Sequence, residues 1–403
     1  MSLYDDASLI MYPSGVKASK IYCQKPTDGS GDLTFTRAST ATRVNSSGLI
    51  ETVASNVPRI DYTGGGCGKL LLEPQRTNLL TRNREFNLWV IPPTATPNST
   101  TSKYGDTVYS YYGSATQTGV TVVSNTDYTY SVLAKKSNWG FLVLRTLNYD
   151  TTANARTWFN LNTGTVGSTS PSYHTNQKIE DFGNGWYLCS ITYKSVTALT
   201  GIVTVSGAST NGSITAGTTN SEDIFYDAAQ VEQGSYATSR IETSGSTVTR
   251  VADASSTSGL SSVINSVEGV LFADVIFFGG SFKFITINSG SSSNRVAIFS
   301  SNATQISYNV RVGGVNQFNG NFTIDSTIRH KLALKYKAND FALWIDGVEV
   351  VTLASGTTFS ASTLTNFSLD DGGGGSVFNG LIQDLAIFPT ALSDAQLEAL
   401  TTI

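Results

Sequence analysis

FALWIDGVEVV, residues 341–351, carries two apolar runs on either side of Asp346-Gly347. Asp-Gly is the pair that a two-residue hairpin turn favours, because both of its central residues take positive φ. The stretch therefore predicts two antiparallel strands closed by a tight turn. Upstream, His330-Lys-Leu-Ala-Leu-Lys-Tyr336 alternates polar and apolar side chains and should pair beside the hairpin. Downstream, FNGLIQDLAIF (378–388) is a further strand region. One convincing helix follows: Ser393 and Gln396 make a capping box, and Leu392 with Leu397 a hydrophobic staple. Residues 263–403 thus read as an antiparallel β-sandwich ending in a short helix.

Residues 81–243 show the same period. Tyr128, Tyr130, Val132 and Ala134 share one face, and GFLVLRTL (140–147) is apolar enough for a central strand. Thr157–Leu161 closes on the turn Asn162-Thr163-Gly164, Asn184-Gly185 precedes Trp186–Tyr193, and Ile224–Glu232 completes the set. Strands separated by turns, without a helical run, predict a second antiparallel sandwich. Residues 244–262 are rich in Ser and Thr and read as a flexible linker.

Residues 1–80 lack clean periodicity. Ser8–Tyr12, Lys20–Cys23 and Lys69–Glu73 read as short strands among many turns, and within 35–80 the charges come singly. Short strands with open edges need a partner, most economically another copy of the chain or a larger assembly. The fold class is all-β: an N-terminal segment followed by two antiparallel sandwiches of jelly-roll or lectin-like type.

Composition excludes several classes. Only 14% of the 403 residues are charged, and the net charge is −4 without a basic cluster. A nucleic-acid partner would show a Lys/Arg stripe. No stretch approaches the ~20 apolar residues of a membrane helix, and the N-terminus lacks a basic-then-apolar export pattern. Cys23, Cys67 and Cys189 are too scattered for a zinc site and odd in number, so they read as reduced, mostly buried hydrophobes. That fits assembly in a reducing cytoplasm.

Three sets of residues carry a resemblance. FTRASTATRVNSSGLIETVASNVPRIDYTGGGCGKLLLEPQRTNLL (35–80) resembles the opening segment of bacteriophage fibre, tail and appendage proteins. ARTWFNLNTGTVG (155–167), IEDFGNGWYLCSITY (179–193) and FYDAAQVEQGSYATSRIET (225–243) resemble the carbohydrate-binding-module-like jelly rolls of such proteins. Gly380, Ile382, Asp384, Ala391, Leu392 and Ser393 resemble the closing strand and helix of laminin-G and concanavalin-like lectin modules, with Phe388 where Tyr is more usual.

The resemblance implies a virion structural protein of head-fibre or tail-fibre type, as in tailed phages of gut or aquatic bacteria. Residues 1–80 would attach it to other virion proteins. The sandwiches would display lectin-like domains for adhesion to surface glycans or host cells. A homotrimer on the virion surface, assembled in the host cytoplasm, is expected. The competing readings are a polysaccharide-degrading tailspike and a structural decoration protein that binds no sugar.

For sugar binding, Trp158, Trp139 and Tyr173 are the candidates, since aromatic faces suit the C–H-rich faces of sugars. Trp158 falls on the face opposite Phe159 and Leu161 and should be exposed, whereas Trp186 reads as core. Asp370 and Asp371 could give oxygen ligands to a structural calcium, although a solvated glycine loop explains them as well. No catalytic residue is assigned and no other cofactor. Gly64–Lys69 lacks the phosphate-loop spacing, and Glu180/Asp181 and Asp370/Asp371 are adjacent residues, a poor geometry for a glycosidase pair. His174 and His330 fall in different sandwiches, and His330 reads as a surface residue.

Overall fold

A computed structural model describes residues 3–149, 154–196, 200–214, 221–279 and 282–403. Asp346 and Gly347 both take positive φ, 50° and 84°, and their turn joins strand Phe341–Ile345 to strand Val348–Leu353. This hairpin is one edge of an eight-stranded antiparallel sheet. Inward from it lie His330–Lys337, Glu268–Phe277 and Gly380–Phe388, then Lys69–Leu72 and Arg59–Asp61. Leu9–Met11 also pairs with Gly380–Phe388, against Leu385–Ile387, while Lys69–Leu72 pairs with its other half.

A nine-stranded sheet faces it. Its order is Val16–Lys17, Lys20–Ile21, Leu33–Thr36, Ala254–Thr257, Asn366–Ser368, Lys283–Asn288, Arg295–Asn302, Gln305–Val312, Val315–Thr323. The core between the sheets mixes distant parts of the chain: Leu9, Met11, Ile21, Leu33, Phe35, Leu70 and Leu72 pack with Leu271, Ile285, Ile298, Leu334 and Ile387.

The expectation of a separate N-terminal segment is therefore corrected. Its short strands find their partners within the chain, on Gly380–Phe388, on Ala254–Thr257 and on one another. The linker is corrected too. Val248–Arg250 pairs with Arg76–Asn78, Ala254–Thr257 lies inside the nine-stranded sheet, and Leu260 is fully buried. Its small hydroxyl residues fit a strand that is enclosed by neighbours.

The other sandwich matches its predicted strands. A five-stranded sheet (Ser114–Thr121, Thr200–Ala208, Phe141–Leu147, Asn154–Asn160, Thr165–Ser170) faces a four-stranded one. The second sheet runs Thr175–Asp181, Trp186–Lys194, Asp127–Lys135, Phe225–Gln233. Tyr128, Tyr130, Val132 and Ala134 point together into the core with Leu142, Leu144 and Phe159. The four-stranded sheet is covered on its other face as well. There Leu133, Trp186, Leu188 and Phe225 pack under Val44 and Ile50 of the hairpin Ala41–Val44/Ile50–Val53, and under Val108.

The sandwiches meet at a buried ionic hub. Arg59 Nη1 donates to Glu73 Oε2 (2.6 Å) and Ser239 Oγ (2.7 Å), and its Nη2 donates to the Asp253 carboxylate. Arg37 lies 3.0 Å from Asp253, and Arg250 lies 2.9 Å from Glu73. All five charged side chains are almost wholly buried. Burial pushes the Glu73 carboxyl up, but the Arg250 and Arg59 guanidiniums and the Ser239 hydrogen bonds outweigh it and hold it at about 2. Buried charges persist only when paired and hydrogen-bonded in this way.

The C-terminal helix Asp394–Thr401 starts as its sequence predicts. The Ser393 N–H and Oγ–H both donate to Gln396 Oε1, and Leu392 and Leu397 are buried together. His330 is not a surface residue: Nδ1 is 2.6 Å from Asp346 Oδ2 and Nε2 2.7 Å from the Asp325 carbonyl, because the hairpin turn folds back over it. Of the cysteines, Cys189 is buried and Cys23 half-buried, but Cys67 is exposed in its glycine loop.

Near the start of the chain, the Tyr4 hydroxyl donates to Asp384 Oδ2 (2.5 Å). Burial, more than its neighbours, pushes the Asp384 carboxyl up to about 7. The carboxyl is then protonated in the fold at a pH where the unfolded chain has already ionised it. Its contribution is fully present below the unfolded value near 4 and is lost as pH rises to about 7. Asp384→Asn keeps an acceptor for Tyr4 and is expected to flatten stability across that window. Urea unfolding at pH 4, 6 and 8 checks this, and the variant should exceed the native chain at pH 8.

Candidate functional site

Strand alternation gives the nine-stranded sheet an outer face of unusual character. Ile285, Ile287, Val296, Ile298, Ile306 and Val310 point into the core, so Phe284, Thr286, Asn288, Arg295, Phe299, Ser307 and Asn309 face away from it. That face is polar apart from its rings. Phe284 and Phe299 are cross-strand partners stacked at 4.1 Å and 12°.

Phe282 extends the stack, 6.5 Å from Phe284 and 6.4 Å from Phe299, and is 51% exposed. Its φ is +59°, the left-handed region that a bulky residue avoids. Such a backbone costs about 1–3 kcal/mol and persists where the surroundings or a function demand it.

Polar groups surround the rings. The Arg295 guanidinium lies 4.9 Å from the Phe284 centroid, donates through Nε to Asn309 Oδ1 (2.9 Å) and through Nη1 to the Asp371 carbonyl (2.9 Å). Asn309 continues to Asn316 (3.0 Å), and Ser307 donates to Asn321 Oδ1 (2.7 Å). An exposed ring beside fixed amides and a guanidinium can stack on the C–H face of a sugar and bond its hydroxyls.

The residues singled out from sequence lie elsewhere. Trp158 does take the face opposite Phe159 and Leu161, but it is only 2% exposed. Its Nε1 donates to the Ser213 carbonyl (2.7 Å), so the chain after Thr200–Ala208 folds over it, and Val143 and Ala208 complete its pocket. The half-buried Trp139 packs on the other side of the same sheet, where a Cβ on Gly207 would meet both its ring and Ile224. Tyr173 packs at the core edge and its hydroxyl donates to the Lys194 carbonyl. The three do not form one platform.

Asp370 and Asp371 adjoin the phenylalanine face. Asp370 Oδ1 accepts the Gly372 N–H (2.7 Å), and Asp371 Oδ1 accepts those of Gly373 (2.9 Å) and Gly375 (3.0 Å). Calcium needs six to eight oxygens. Among the described residues no three His, Cys, Asp or Glu side chains gather to hold a metal. Both carboxylates are instead engaged by the glycine amides of their own loop.

One carboxylate pair was missed in the sequence: Asp274 and Asp384 are cross-strand partners. Arg329 clamps Asp274 at 2.6–2.8 Å, while Asp384 is 4% exposed beneath Tyr4. Tyr4 closes the route that a polysaccharide would take to this pair.

Residues 275–398 match the family model of the Concanavalin A-like lectin/glucanases superfamily. No curated protein matches the chain in sequence. In structure it is similar to the CBM40 of Ruminococcus gnavus IT-sialidase bound to alpha2,3 sialyllactose, at 17% identity over 36% of this chain and 91% of that one, TM-score 0.31. It is similar to the NanB sialidase of Streptococcus pneumoniae, at 16% identity over 36% of this chain and 26% of that one, TM-score 0.30. A native heptameric SAP-like pentraxin from Limulus polyphemus matches at 14% identity over 34% of this chain and 70% of that one, TM-score 0.27. Likeness this low passes neither ligand nor activity to this chain.

Proposed function

We propose that this chain is a non-catalytic glycan-binding protein whose sugar face is the outer surface of the nine-stranded sheet. The observation that carries the reading is the stack of Phe282, Phe284 and Phe299, ending in an exposed ring on a left-handed backbone beside Arg295 and Asn309. The match of residues 275–398 to the lectin and glucanase family supports it.

The finer reading is an adhesive fibre or appendage protein on a phage particle, presented as a trimer. It rests on the sequence resemblance of residues 35–80 and 225–243. The N-terminal strand edges are paired within the chain and so do not themselves call for a second copy. Repeated copies would turn weak single-site contacts into useful avidity.

A glycan array probed with the native chain and with Phe282→Ala is the test. Saturable signal on a subset of glycans, lost in the variant, is expected, with unchanged melting because Phe282 is exposed. Shortened polysaccharide after incubation with the native chain would favour the tailspike reading instead. An array without signal would favour a decoration protein. Immunogold labelling of intact particles tests the virion assignment.

A further inference from the structure

Across the five-stranded sheet, one row of outward side chains reads Thr116, Thr204, Arg145, Arg156, Ser170, each the register partner of the next. Two arginines thus stand directly opposite each other on neighbouring strands. Like charges in that arrangement repel. The usual remedy is a carboxylate between them, and among the described residues neither arginine has one. Arg145 Nε donates to the Asn154 amide oxygen (2.6 Å), and the Arg156 side chain makes no hydrogen bond or ion pair among the described residues. Partial burial and the neighbouring Arg156 push the Arg145 guanidinium below its ordinary value.

The arrangement is conspicuous in a chain of net charge −4 with only 26 basic residues. Arg37, Arg59, Arg84 and Arg329 are all paired to carboxylates. Among the described residues Arg145 Nε alone of the two guanidiniums' donors has a partner, and both side chains are half-buried.

We propose that this row binds an acidic saccharide, through a carboxylate or sulfate held between Arg145 and Arg156. Guanidinium forks match planar or tetrahedral oxyanions with two parallel hydrogen bonds, and an anion between them also removes their mutual repulsion. Ser170 flanks the pair with an exposed hydroxyl, while on the other side Thr204 is buried and bonded to Thr116 (3.1 Å). The accessible part of the row, Arg145 to Ser170, spans two strand spacings, about 10 Å, the length of about two sugar rings. The site is independent of the phenylalanine face, which belongs to the other sandwich.

The test is calorimetric titration of the full chain at low salt with three probes: tetragalacturonate, its methyl ester, and a heparin-derived tetrasaccharide. At least one acid should bind saturably and weaken with added salt, and the uncharged ester should not bind. If only the first acid binds, the ligand group is carboxylate; if only the second, sulfate. Arg156→Gln and Arg145→Gln should each weaken binding about tenfold, the loss of one charge-assisted pair. Their melting temperatures should stay the same or rise, since repulsion is relieved. Phe282→Ala should leave this binding intact. Failure of both acids to bind, equal binding of the ester, or unchanged affinity in Arg156→Gln would overturn the proposal.

Discussion

Arg59→Ala is expected to destabilise the protein by about 3–5 kcal/mol, the cost of breaking a buried ion pair from one side. The guanidinium satisfies Glu73, Asp253 and Ser239 together, and both carboxylates are buried at the meeting of the sandwiches. Its removal leaves Asp253 with Arg37 alone and Glu73 with Arg250 alone. A whole domain is stable by about 5–15 kcal/mol, so the variant should lie near its unfolding threshold at 37 °C. Urea unfolding measures the loss. Acid should act on the same hub: Glu73 stabilises the fold above the ordinary carboxylate range, and that contribution fades as pH falls from about 4 towards 2. A cost below about 1 kcal/mol would mean the hub relaxes into a solvated arrangement.

The second large effect concerns the N-terminal segment. A chain lacking residues 1–80 is expected not to fold its C-terminal sandwich. Deletion strips Leu9, Met11, Ile21, Leu33, Phe35, Leu70 and Leu72 from the core, all fully buried. At about 1.5–3 kcal/mol for each such side chain, the sum is about 10–20 kcal/mol, an upper figure that still matches or exceeds a domain's stability. Deletion also bares the edge of Gly380–Phe388, an invitation to edge-to-edge aggregation. Expression as insoluble material, or loss of cooperative melting, is the expected readout. A soluble, cooperatively melting product would show that residues 263–403 are self-sufficient.

The local features were legible and the long-range ones were not. Asp346-Gly347 and Ser393/Gln396 declare themselves within a few residues, since turn and cap chemistry is local. The alternation through Tyr128–Ala134 gave the right face for the same reason. The pairing of Leu9–Met11 with Leu385–Ile387 spans nearly the whole chain, and no periodicity reports it. The single charges of residues 35–80 did carry a signal: Arg59 pairs with Glu73 across 14 residues, and the remaining counter-ions, Asp253 for Arg37 and Arg59 and Arg250 for Glu73, come from a distant part of the chain.

The aromatic residues teach the same lesson at the site. Trp158 was placed on the correct face, but its cover arrives with Ser213, from a separate part of the chain. Phe284 was overlooked, although Phe284, Thr286 and Asn288 alternate with Ile285 and Ile287. A phenylalanine on the polar side of a strand is a readable anomaly. Phe282 gains its meaning only from a backbone angle that the sequence does not reveal.

The most direct test of the glycan-face account is the structure of the chain with a glycan that the array identifies. A sugar ring stacked on Phe282 and Phe299 is expected, with hydroxyls within hydrogen-bond reach of Arg295 or the asparagines beside it. A neutral sugar lodged elsewhere, such as the cleft of about 430 Å³ between Gly64–Gly66 and Asp181–Asn184, with the phenylalanine face bare, would contradict it.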